Sequence, residues 1–102
     1  MSDAPDDFLR FLEVQRADYL RVLPGRVSDV EATWNAMAHE RTGTEWEVLE
    51  RQAHNLAGTA GTFGFEALSD AAKALERAVH GRDLSEITRA IALLRLSLPP
   101  DA

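Results

Sequence analysis

The sequence predicts an all-α fold, an antiparallel four-helix bundle with an additional N-terminal helix. Three observations predict it. Apolar residues recur every three and four positions along nearly the whole chain, and no alternating apolar–polar run between turn residues offers a strand. Helix punctuation falls between the periodic stretches, at Pro24, Gly43, Gly64, Gly81 and Pro99-Pro100. The connections are short, which folds consecutive helices back antiparallel.

Taken in order, the first helix is expected from about Ala4 to Leu23, with Phe8, Phe11, Leu12, Tyr19, Val22 and Leu23 along one stripe. Pro24 suits the first turn of a second helix, where its missing N–H is harmless. That helix carries Val27, Val30, Trp34 and Met37, and Arg41-Thr42-Gly43 breaks it. Thr44 and Glu47 make a capping box for a third helix, which buries Trp46, Leu49, Ala53, Leu56, Ala60 and Phe63. Gly64 is placed to end it in a left-handed conformation. The fourth, from about Phe65 to His80, carries Leu68, Ala71, Ala72, Leu75 and Val79 and closes at Gly81. Asp83 and Glu86 repeat the capping pattern, and Leu84, Ile87, Ile91, Leu94 and Leu98 form the seam of the last helix.

The 102 residues suffice for one small domain spanning 1–102, and 45% hydrophobic content suffices for its core. Without cysteine, neither a disulfide frame nor a thiolate site is available. No apolar run approaches the roughly 18 residues of a membrane span, and the start is acidic rather than signal-like, so a cytoplasmic protein is expected. A net charge of -6 argues against nucleic acid as the main partner.

The most informative stretch surrounds His54. If it is helical, Gly58 and Gly61 follow the histidine by four and seven residues and share its side of the cylinder. Each glycine costs a helix roughly 1 kcal/mol against alanine, so their presence implies that something large approaches the ring. On a helical wheel His54 lies roughly 120° or more from the core stripe, beside Glu47 and Glu50, and is expected to be at least partly exposed. A neutral imidazole is a competent nucleophile near neutral pH. Yet there is no nucleophile elbow, no phosphate-cradling glycine loop and no metal-spaced histidine pair. The partner must then bring the catalytic machinery.

Residues 51–76 resemble the signature of histidine-containing phosphotransfer (HPt) domains: His54, Leu56, Gly58, Thr59, Ala60, Gly64, Leu68, Leu75 and Glu76. The likeness extends to the helix order and so covers nearly the whole chain. The resemblance implies a phosphoryl carrier in a two-component phosphorelay, with His54 accepting and donating the group to receiver aspartates. It implies no kinase activity and no cofactor of its own, the Mg²⁺ belonging to the receiver. Glu76, opposite in the hairpin, is the candidate to orient the imidazole. Many members carry lysine three residues after the histidine, where this chain has Ala57; Lys73 and Arg51 are the candidates for stabilising the phosphoryl group instead. Partners implied are receiver domains and an upstream sensor histidine kinase, met by a monomer without nucleic acid or membrane.

Docking is assigned to Asn55, Gly58 and Gly61, with Leu9 and Leu20 as aliphatics off the main stripe of the first helix. Blander readings stand beside these. Gly61 can equally ease helix packing, a wide apolar face explains Leu9 and Leu20 as well, and Glu47–Arg51 reads as an ordinary i,i+4 pair. His39 reads as solvated near a helix end, and His80 suits a helix C-terminus. Two rival functions remain: an HPt-like module that binds a regulator without phosphotransfer, and a small helical enzyme using His54 as general base.

Overall fold

A single 33-residue helix, α1 (Ala4–Ala36), occupies the stretch where two were expected. The computed structural model describes residues 4–37 and 43–102, with side chains described from residue 6; His39, Arg41 and Thr42 lie outside the described residues. Three further helices follow, α2 (Glu45–Thr62), α3 (Glu66–His80) and α4 (Leu84–Leu96), and among the described residues there is no strand. The bundle expected from the periodicity is thus present, but the additional N-terminal helix is not separate.

The reason lies in the stripe that crosses the proline. Leu23, Val27, Val30, Trp34 and Met37 are all buried along one continuous face. Pro24 inside the helix removes a donor and crowds the carbonyl four residues back, at about 3 kcal/mol. Each large apolar side chain buried contributes about 1.5–3 kcal/mol, so five in register outweigh that penalty.

The N-terminal part of α1 overruns its partners. At 1.5 Å per residue α1 is about 50 Å long, whereas α2, with 18 residues, is about 27 Å long. The expected buried stripe there is therefore largely absent: Phe8 and Phe11 are 61% and 58% exposed, and Leu12 and Val22 are exposed too. Only Leu23 is buried, and Tyr19 packs half-buried against the core. Below this arm the four helices enclose one core, to which α2 and α3 contribute the closest pair.

Both hairpin turns use the same termination. After α2, Gly64 takes φ +81°, and the N–H groups of Phe65 and Gly64 reach back to the carbonyls of Ala60 (2.8 Å) and Gly61 (3.1 Å). After α3 the left-handed residue is Arg82 (φ 54°), not Gly81, with Asp83 N–H bonded to Ala78 O at 3.0 Å. An L-residue there costs about 1–2 kcal/mol. Its guanidinium stacks on the Trp46 ring at 4.1 Å, a cation–π contact that offsets much of this.

The two expected caps differ. Asp83 is extended (ψ 99°) and its carboxylate accepts from Glu86 N–H at 3.1 Å. Thr44 sits at helical angles (φ -75°, ψ -15°) and makes no side-chain cap bond, because a cap hydroxyl reaches the helix only from extended backbone. Of the expected seam residues, Leu84 is exposed, while Phe63 and Leu98 are half-buried against the core. Across the bundle, Arg95 on α4 grips Glu31 of α1 in a forked pair and reaches Ser28 Oγ at 3.1 Å. Among the described residues no helix is long and apolar enough to cross a membrane.

Candidate functional site

His54 stands on α2, turned about 130° from the core stripe formed by Leu49, Ala53, Leu56 and Ala60. Its side chain is 72% exposed. From α3, Glu76 meets the ring: Nδ1 and Oε2 are 2.8 Å apart. A carboxylate can only accept, so Nδ1 carries the hydrogen and donates it. In the neutral ring the lone pair then belongs to Nε2, on the side away from Glu76. The imidazole is held at one nitrogen and open at the other.

Two contacts set how α3 lies against α2. An added Cβ on Gly61 would come within 3.2 Å of Ser69 Oγ. Ser69 is buried, and its hydroxyl donates to the Ala57 carbonyl at 2.8 Å. Gly61 therefore serves the helix pair, the alternative to docking weighed for it. An added Cβ on Gly58 meets nothing within 4 Å, so no internal packing accounts for that glycine. In the register fixed by His54–Glu76 and Gly61–Ser69, Lys73 falls opposite the buried Ala57.

A third tie comes from α1. Thr59 Oγ1 donates to the Asn55 carbonyl (2.7 Å), so the 2.5 Å contact between Tyr19 and Thr59 is a bond donated by the phenol. This chain fastens α1 to the backbone immediately after His54. Burial raises the Tyr19 pKa, outweighing the opposing pull of Arg26. The phenol accordingly keeps its proton for the bond to Thr59.

The remaining predicted residues divide by position. Glu47, Glu50, Arg51 and Glu76 line the open hollow around His54. Glu47 and Arg51 form no ion pair, contrary to the i,i+4 expectation; among the described residues the ion pairs involve other side chains. Lys73 lines an adjoining hollow with Glu50, Glu76 and His80. Asn55 is exposed beside the ring. Leu20 packs against the core instead of standing free, because α1 continues through Pro24 along the bundle. Leu9 is exposed, but the antiparallel run of α1 past Thr59 carries it about 20 Å along the axis from His54. Leu9 thus lies away from the imidazole, whereas Leu20, partly buried, stands level with Gly58 in the same register.

Sequence reasoning missed Ser69, Arg26 and Gln52. Ser69 is a small polar residue next to Asp70, a signal that becomes legible only beside a glycine on the facing helix. Among the described residues no group of three or more metal-ligating side chains is placed to hold a metal ion.

Residues 16–98 match the model of the Hpt domain family. No curated protein and no solved structure matches the chain significantly.

Proposed function

Because the chain belongs to the Hpt domain family, whose members carry phosphoryl groups on histidine in phosphorelays, we propose that it shuttles a phosphoryl group on His54 between receiver aspartates. The observation that carries this reading is the exposed ring tethered at Nδ1 by Glu76 with Nε2 free.

The step needs no general base from this chain. The Nε2 lone pair attacks the phosphorus of an aspartyl phosphate; the N–P bond forms, the P–O bond breaks, and the aspartate leaves as carboxylate. Nε2 bears no hydrogen, so no base must remove one. The ring becomes cationic, and the Glu76 carboxylate, already accepting from Nδ1–H, stabilises that charge. The receiver supplies the acidic Mg²⁺ pocket. Gly58 leaves open the surface over which that pocket approaches.

Ala57 removes the cation usual at that position. Arg51, which shares the His54 hollow, and Lys73, opposite Ala57, are the side chains that bring positive charge to the phosphoryl group. An upstream sensor kinase loads the relay; this protein carries the group without kinase activity of its own and works as a cytoplasmic monomer.

The test is incubation with a radiolabelled phospho-receiver beside His54→Gln. Acid-labile, base-stable label on the parent and none on the variant supports the carrier. Receiver binding without label supports the alternative, a module that docks without transfer.

A further inference from the structure

Beside His54, on the α1 side, lies a more enclosed cleft of about 140 Å³ between α1 and α2. Two arginines, Arg26 from α1 and Arg51 from α2, line it together with one aspartate, Asp29. Neither arginine forms an ion pair with any described residue. In a chain with net charge -6 this is a local excess of positive charge. Gln52 lines the same cleft, and its Oε1 is buried without a hydrogen-bond partner. Two arginines and a carboxamide side chain thus line one small volume.

We propose that this cleft seats a carboxylate side chain of the docked receiver. The inference rests on the relay reading for the identity of the partner, though not for the chemistry of the cleft. A planar carboxylate matches the guanidinium fork, which can hold it through two parallel bonds. The volume, room for about five waters at roughly 30 Å³ each, suits a side-chain tip rather than a metabolite. Position selects the receiver as its source. Arg51 lines both this cleft and the His54 hollow, and Asn55, next to His54 in the chain, lines it too. Anything covering the imidazole from the α1 side lies over the cleft.

The same sharing gives the cleft a second consequence. A receiver carboxylate held by Arg26 leaves Arg51 free to turn toward the phosphoryl group; without Arg26 the two anions compete for one guanidinium.

The test has two arms. In the first, the side-chain N–H signals of Arg26, Arg51 and Gln52 are followed by NMR while acetate replaces chloride at constant ionic strength. Saturable shifts with one shared midpoint are expected, with Arg10 and Arg89 unmoved. Equal linear drift at all four arginines would mean screening alone and would overturn the site. In the second arm, Arg26→Gln and Asp29→Asn are compared with the parent in transfer from the receiver that labels His54. Arg26→Gln should raise KM about tenfold, the cost of one charge-assisted pair, and lower kcat less than KM rises, as Arg51 is drawn from the phosphoryl group. Asp29→Asn should lower KM by removing the internal competitor. Unchanged KM in both, after saturable acetate binding, would overturn the receiver as the source while leaving the carrier intact. Absence of label from every receiver would instead remove the relay reading, and the receiver carboxylate with it.

Discussion

Gly61 on α2 and Ser69 on α3 meet so closely that a Cβ on the glycine would come 3.2 Å from the serine hydroxyl. That hydroxyl is simultaneously bonded to the Ala57 carbonyl, one turn from His54. The hairpin that brings Glu76 to the imidazole is therefore spaced by a glycine and pinned by a serine.

The two glycines should separate in stability. Gly58→Ala meets open space and should stabilise by about 0.5–1 kcal/mol through helix propensity alone. Gly61→Ala gains the same propensity but crowds Ser69, and the strained or broken buried bond costs about 1–3 kcal/mol. Urea unfolding should rank Gly58→Ala above the parent and Gly61→Ala at or below it. A Gly61→Ala protein as stable as Gly58→Ala would show that the contact yields freely. In transfer assays the order should reverse, with Gly58→Ala the slower.

Glu76 should act as an acceptor before it acts as a charge. Glu76→Ala frees Nδ1 and should slow phosphotransfer about tenfold without unfolding the protein, a loss of about 1.4 kcal/mol of transition-state stabilisation. Glu76→Gln keeps an acceptor oxygen and should lose less. Histidine ¹⁵N shifts should show the Nδ1–H tautomer in the parent and a mixture in Glu76→Ala. Unaltered kinetics in Glu76→Ala would remove its role.

Proline at position 24 should be a liability. Pro24→Ala restores a donor for the Leu20 carbonyl inside a continuous helix and should raise stability by about 1–3 kcal/mol, less whatever unfolded-state entropy the proline had suppressed. Thermal unfolding measures it. A lower melting temperature would mean that the proline shapes α1 in a way the bundle needs.

The Arg95–Glu31 fork ties α4 to α1 and should be felt only where Glu31 is ionised. The hydrogen bond from Arg95 is the main cause holding the Glu31 pKa below its ordinary value. A depressed carboxylate contributes stability above its unfolded pKa and loses that contribution as pH falls through the folded value. Denaturation of the parent and of Glu31→Gln should therefore differ near neutral pH and converge as pH falls through the lowered folded pKa of Glu31. A difference independent of pH would assign the effect to packing.

Much of the site was legible in the chain because it is local. Helical spacing alone places Gly58 and Gly61 beside His54 and turns the ring from the core, since three to four residues per turn fix angles within one helix. The left-handed end at Gly64 was legible for the same reason. Glu76 was legible through the resemblance and its place across the hairpin, and the ring contact at 2.8 Å lies there. The helix count was not, because local proline propensity pointed one way and a buried stripe the other.

What the sequence determined by itself, then, is the set of helical faces and the residues sharing each: His54 outward with its glycines, and Leu49, Ala53, Leu56 and Ala60 inward. Tertiary structure alone decided which glycine is crowded, which arginines stand near one another, and that α1 runs unbroken past the end of its partners. The physical reason is that a helix's period governs directions around its own axis. Distances between side chains on different helices arise only when the packed core sets spacing and register.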